Sequence, residues 1–202
     1  MNGYTTFAAA RATQADELGR AVPRIADQIA ERAALGQFAG PGPIMVGIGA
    51  SLAAACAPVW ALRSRGIHSW RLGAGDHPLP FPLSVHPIVG ISQSGRSAET
   101  LAVLESVPEP LRYAVVNSEP SPIARIASTI SLGGLPDSYA STLGYTATVA
   151  ALGMLADSWD GGRLDAGWAR LAEVFAQTEE RVAAPVADLA ALFAGVSSAD
   201  FV

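Results

Sequence analysis

There is no lysine in these 202 residues, and all 13 basic side chains are arginines. That absence removes a Schiff-base lysine, a phosphate-loop lysine and a lysine general base from any mechanism the chain can support. Cysteine is almost missing too. With Cys56 alone no internal disulfide can form, which suits a reducing compartment. Charged residues make up 15% of the chain, against about 25% in an average soluble domain. The net charge of −5 and the scatter of the arginines provide no basic face, so no nucleic acid is expected as a partner. The longest apolar region, Thr142 to Ala156, is interrupted by Gly144, Thr146, Thr148 and Gly153. It falls short of the roughly 18 unbroken residues of a membrane span. The opening "MNGYTTFAAARATQADELG" lacks the basic flank and apolar stretch of a signal peptide. A cytoplasmic protein that does not contact membranes is expected.

What the chain has in abundance is apolar surface, with 50% hydrophobic residues. One good-sized domain accounts for the length, and apolar surface left over predicts a partner such as a second copy of the chain, a homodimer. Apolar residues at three- and four-residue spacing over Thr13–Leu35 predict one or two helices, with Pro23 opening the second. "IMVGIG" (Ile44 to Gly49) reads as a buried strand. The following "ASLAAACAPVWALRSRG" reads as a helix that Pro58 should kink. A short strand near "HSWRLG", a proline-rich loop and the buried strand "IVGIS" come next. A helix from Ser94 to Val107 and the strand "RYAVVN" follow. "SPIARIAS" reads as a short helix, "STISLGG" as a strand, and "SYASTLGYTATVAALGMLADSW" as a long helix. Two more helices divided near Pro185 run to about Ala194, and "SADFV" reads as the start of a further strand. Strands alternating with helices imply an α/β fold, helix-rich, with a parallel sheet flanked by helices on both faces.

Ligands bind outside the carboxyl ends of such strands, and two ends carry polar loops, "GIGAS" and "SQSGRS". At each, the chain turns from a strand into a helix N-terminus, whose free N–H groups and dipole favour an anion. Ser92, Ser94 and Ser97 add hydroxyls, Gln93 an amide, Gly95 room for close approach and Arg96 a positive charge. These groups suit a phosphate monoester. The rival reading is that Ser94 or Ser97 only caps its helix, with Glu99 completing a capping box. Spacing alone leaves both open.

"ISQSGRSAET" resembles the phosphosugar-binding signature of the sugar isomerase (SIS) domain family, SQSG-[ED]-[ST]-x-[ED]-T. "GIGAS" is similar to the family's first loop, "AVVN" to the strand before its third ligand loop, and "YASTLGYTATVAALGML" to the segment that opens its long helix. The likeness runs from about Ile44 to Leu155, in the family's order. It is strongest to the isomerase half of glutamine–fructose-6-phosphate transaminase and to two-domain phosphosugar isomerases and deaminases. The resemblance implies a flavodoxin-like three-layer sandwich. The SIS core would span 41–160, between a helical lead-in at 1–40 and C-terminal helices with the start of a strand at 161–202. It implies that Ser92, Ser94 and Ser97 hold phosphate oxygens, that Gln93 supports the loop or the sugar beside Gly95 in the substrate-binding loop, that Ser51 meets a sugar hydroxyl and that Ser118 closes over the ligand. The ligand would be a sugar phosphate, the chemistry aldose–ketose isomerisation or amino-sugar phosphate isomerisation and deamination, and no cofactor is called for. The alternative is a module that senses phosphosugar without turning it over.

Two positions depart from the pattern. Arg96 stands where the family has an acid, and Leu143 where it has a lysine, which removes a polar contact from the site. The family's proton-moving glutamate and histidine lie in a second domain, which would start near "SADFV". Within this chain the candidates for acid–base work are His77, Asp76, Asp137 and Glu99, with Glu99 also readable as a cap. His68, His77 and His86 are not spaced for a metal, so no metal site is expected. Cys56 reads as a core residue, and Leu164, Trp168, Leu171 and Phe175 as core or interface.

Overall fold

The computed structural model describes residues 4–196. In chain order the elements are β1 (Tyr4–Thr5), α1 (Phe7–Ala12), α2 (Gln14–Ala34), β2 (Ile44–Gly47), α3 (Ala50–Ala54), α4 (Cys56–Ser64), β3 (Trp70–Gly73) and β4 (Ile88–Ser92). They continue with α5 (Ala98–Glu105), β5 (Arg112–Val116), β6 (Ser128–Ser131), β7 (Asp137–Ser138), α6 (Leu143–Ser158) and α7 (Leu171–Phe193). Five strands form one wholly parallel sheet in the order β3-β2-β4-β5-β6. The order reverses between β2 and β4, so their carboxyl ends flank the crevice where open α/β sheets take their ligands. A separate parallel pair joins β1 to β7, with Tyr4 opposite Asp137 and Thr5 opposite Ser138.

Every residue of β2 and β4 is buried, as expected of strands covered on both faces. Alternate residues serve the two faces. Met45, Val89, Ile91, Val115 and Ile130 meet the layer built from α2, α4 and α6. Ile44, Val46, Ile88, Ala114 and Val116 meet Val103, Leu104 and Val107 at α5, together with Phe81 and Ile123. The central helix of the first layer is α6. It is apolar on every side and 11 of its 16 residues are buried, the signature of a helix enclosed by its neighbours. Leu171 and Phe175 of α7 pack onto this same core.

Two helix breaks fall elsewhere than expected. Pro23 does not open a second helix, because α2 runs unbroken through it. The buried stripe Leu18, Ala21, Val22, Ile25, Ile29 continues across the proline, and that burial outweighs the missing hydrogen bond. Gly19, whose carbonyl the ring would crowd, has no side chain to add to the conflict. Nor does Pro185 divide α7. It strands the carbonyl of Arg181, which is exposed, and there water can satisfy it. The irregularity expected at Pro58 is present as a break at Ala55 between α3 and α4, which puts Pro58 in the first turn of α4. The long helix begins at Leu143 rather than at Ser138, since Asp137–Ser138 pair with β1. "SPIARIAS" forms a 3-10 turn at Ile123–Arg125. The strand expected at "SADFV" lies outside the described residues. Cys56 is exposed rather than in the core, because the buried face of α4 is Pro58, Val59 and Leu62.

Trp159 closes the first layer. It is fully buried, stacks on Phe38 at 5.6 Å between ring centroids, and donates its indole N–H to Gly40 O and Pro41 O. Trp159→Ala should cost about 3–5 kcal/mol of stability, read as a lower denaturant midpoint at unchanged slope.

Candidate functional site

Strand β4 ends at Ser92, and the chain then makes the loop 92–97 before α5. The loop is held by its neighbour as well as by its own Gly95 N–H to Ser92 O bond (3.2 Å). Gln93 O accepts the amides of Asn117 (3.0 Å) and Ser118 (3.1 Å), and Gly95 O accepts that of Ile123 (3.1 Å). Gly95 has φ +63°, and a Cβ there would run into the Ser121 side chain. Glycine is therefore required twice over, for backbone conformation and for space. The neighbouring loop is anchored in turn: the Asn117 amide donates to Leu135 O and accepts from Leu135 N, both at 2.8 Å.

The serines do not cap the helix. Ser97 occupies the N-cap position of α5 but makes no side-chain capping bond. Its hydroxyl instead bonds that of buried Ser92 at 2.9 Å, and the Ser94 hydroxyl accepts from Arg96 N at 3.2 Å. Glu99 is exposed and completes no capping box. The amides of Ala98, Glu99 and Thr100 have no hydrogen-bond partner among the described residues. Thr100 adds a hydroxyl that is buried and also unpartnered, a condition rare for buried polar atoms. The first turn of α5 thus presents a set of donors and a positive dipole end with nothing protein-borne upon them.

Beside the loop lies a cavity of about 50 Å³ lined by Ser51 of α3, by Gln93, and by Ser141, Gly144, Tyr145 and Thr148 at the start of α6. Sequence reasoning missed Ser141, Tyr145 and Thr148. For Tyr145 and Thr148 the available signal was their three-residue spacing, which puts them on one face of α6, while Ser141 lies just before that helix. Leu143, expected to cost the site a contact, is fully buried in the core and turned away from the cavity's lining. Ser118 is exposed and joins the loop through its backbone amide.

Asp137 is buried and accepts from six donors. Oδ1 takes Ser138 N, Thr142 N and Thr142 Oγ1; Oδ2 takes Gln93 Nε2 (3.2 Å), Ser141 Oγ (2.6 Å) and Gly144 N (2.9 Å). Burial alone would push its pKa up. The bonds from Ser141, Thr142 and Gly144 outweigh burial and hold the carboxyl below the ordinary range. His77 and Asp76 line a different cavity, with Leu52, Arg71, Leu72 and Gly73 near the end of β3. Ser51 faces one cavity and Leu52 the other, and no contact joins His77 to the 92–97 loop among the described residues. Nor do the described residues hold a group of three or more His, Cys, Asp or Glu side chains arranged for a metal ion, or a helix long and apolar enough to cross a membrane.

The fold recurs in solved structures. The C-terminal domain of glucosamine-fructose-6-phosphate aminotransferase from Francisella tularensis superposes with a TM-score of 0.65 at 15% identity, over 89% of this chain and 58% of that one. A Silicibacter pomeroyi DSS-3 protein described as a phosphosugar isomerase does so with a TM-score of 0.65 at 24% identity, over 83% and 55%. The chain has the SIS fold. The Vibrio vulnificus NanR protein, solved with ManNAc-6P, shares it with a TM-score of 0.52 at 14% identity, over 94% of this chain and 70% of that one. The chain spans little more than half the length of the first two structures. No family model matches it, and no curated protein does.

Two outcomes test the site's construction. Gly95→Ala should destabilise by at least about 1 kcal/mol through its positive φ alone, seen as a lower melting temperature. For Asp137, a depressed folded pKa means its stabilisation is complete above the unfolded value of about 3.9 and is lost as pH falls through the still lower folded value. The difference in melting temperature between the wild type and Asp137→Asn should therefore hold steady from pH 8 to pH 5 and shrink below about pH 4.

Proposed function

We propose that this chain binds a sugar phosphate, with the phosphate seated on the 92–97 loop and the first turn of α5 and the sugar directed towards the cavity at Gln93. The observation that carries the reading is the Ser97 hydroxyl, which stands at a helix N-cap and leaves the helix uncapped. The hydroxyls of Ser94 and Ser97 and the unpartnered amides of Ala98 and Glu99 lie on this turn, where an acceptor-rich dianion would satisfy them. Arg96 is exposed on the same loop and supplies the nearby positive charge. At about 50 Å³ the cavity is too small for a whole ligand, so it receives one end of the sugar while the phosphate stays outside on the loop.

The activity proposed is aldose–ketose isomerisation of a sugar phosphate, or isomerisation and deamination of an amino-sugar phosphate, with proton transfer completed by a second copy or a second domain of the same fold. Support comes from what the cavity holds. Its lining contains no ionisable carboxylate or imidazole, while Asp137, six times bonded, has no capacity left to move a proton. Exposed Val182, Val186, Leu189 and Leu192 on α7 support association with another copy or domain in a cytoplasmic protein. His77 and Asp76, across α3, remain this chain's own candidates for acid–base work. The absence of an acid or base from the cavity lining also favours a second reading, a module that senses phosphosugar without converting it; the Vibrio vulnificus NanR protein, of the same fold, was solved in complex with ManNAc-6P.

A ligand present at about 100 times its dissociation constant adds roughly 2.7 kcal/mol, a rise of about 5–10 °C in melting temperature at this size. Fructose 6-phosphate or glucosamine 6-phosphate should produce that rise and the free sugars should not. Ser94→Ala with Ser97→Ala should abolish it while the protein still folds, its unliganded melting temperature lowered by a few degrees because buried Ser92 loses its hydroxyl partner. An undiminished rise in the double variant would overturn the assignment.

A further inference from the structure

The cavity beside the loop has a polarity, and Asp137 sets it. An amide side chain can present either its N–H₂ or its carbonyl to a ligand, and the two ends recognise opposite partners. Gln93 has no such freedom. Its amide lies against Asp137 Oδ2 at 3.2 Å, and that carboxylate already accepts Ser141 Oγ and Gly144 N on the same oxygen. An ionised carboxylate only accepts, so the end of Gln93 turned towards it must be Nε2. A flipped amide would set carbonyl oxygen against carboxylate oxygen in a buried place, where an unpaired acceptor is costly. The planar carbamoyl group then leaves Oε1 on the side away from Asp137, and Oε1 accepts no hydrogen bond among the described residues.

The packing allows no slack. A Cβ on Gly144 would stand 2.6 Å from both Asp137 Oδ2 and Gln93 Nε2, so the helix backbone presses directly on the pair. Other hydroxyls at the cavity are committed. Ser141 Oγ donates to Asp137 and accepts from Tyr145 N at 3.1 Å, and Thr148 Oγ1 donates to Gly144 O at 2.7 Å. Gln93 Oε1, with the hydroxyls of Ser51 and Tyr145, is what remains to face an occupant, and no charged side chain lines the space.

We infer that Asp137 is a positioning residue that locks the Gln93 amide with its carbonyl towards the cavity, making this a subsite for an uncharged, hydrogen-donating end of the ligand, a hydroxyl or an amino group. The inference rests on the sugar-phosphate reading of the loop and adds to it a direction. The phosphate meets donors at α5, and the far end of the sugar meets an acceptor at Gln93. Asp137 itself touches no ligand.

The test separates the two subsites by using two probes, inorganic phosphate for the loop and fructose 6-phosphate for loop and cavity together, each titrated calorimetrically. The wild type should bind both, the sugar phosphate more tightly. Asp137→Asn lets residue 137 donate and frees the Gln93 amide to turn. It should lower affinity for fructose 6-phosphate roughly tenfold, the worth of about one hydrogen bond, with phosphate affinity unchanged. Gln93→Met leaves the bonds from Asp137 to α6 in place and should show the same selective loss, so the inference does not depend on how well Asp137→Asn folds. The selectivity of the loss is the readout, since a purely structural role for Asp137 would weaken binding of both probes together. Retention of the full preference in Gln93→Met or in Asp137→Asn, with phosphate still bound, overturns this inference alone. Binding of neither probe by the wild type overturns the loop assignment and this inference with it.

Discussion

Strand β4 is the constraint on which everything else depends. It is the middle strand of five, bonded to β2 on one side and β5 on the other, with all five residues buried. A strand so enclosed can offer chemistry only where it ends. The loop that leaves it cannot relax onto its own helix either, because its carbonyls are taken by the next loop through Asn117, Ser118 and Ile123. Its shape is therefore fixed before any ligand arrives, which removes the ordering cost that a flexible loop would add to binding.

That rigidity explains the arrangement of the hydroxyls. A serine free to choose at a helix N-cap bonds the helix. Here Ser97 is drawn to Ser92 at the strand end, and the helix donors stay open. The second layer of the site works by the same logic at longer range. The start of α6 is capped from outside by Asp137, five residues before the first helical turn can cap itself, and the same carboxylate reaches Gln93 in the β4 loop. Strand β1 pairs with the segment that carries it. Three stretches distant in sequence, around residues 5, 93 and 137–144, are thereby fixed relative to one another around one buried charge.

The fold was largely legible in the sequence, since alternating buried strands and amphipathic helices carry their own periodicities. Failures came where tertiary burial overrode a local breaker, as at Pro23 inside the continuous stripe of α2, or where a short pairing pre-empted a helix start, as at Asp137–Ser138. At the site, the serine-rich loop could be read directly. Its choice between capping and ligand holding could not, because that turns on one hydroxyl's direction. Where Leu143 points could not be read either, for a related reason. A residue's departure from a motif says nothing about which way its side chain points, and this one points into the core. Asp137 was a candidate acid or base in the sequence; only the six donors around it assign it a structural office.

The central claim is that the open donors at the start of α5 are a ligand seat, and amide chemical-shift mapping tests it most directly. On titration of the isotopically labelled protein with fructose 6-phosphate or glucosamine 6-phosphate, the amides of Ser94 to Thr100 should move most, with a second set at Ser141 to Tyr145. Shifts confined to other surfaces, with the amides of Ala98, Glu99 and Thr100 unmoved at saturation, would contradict the account.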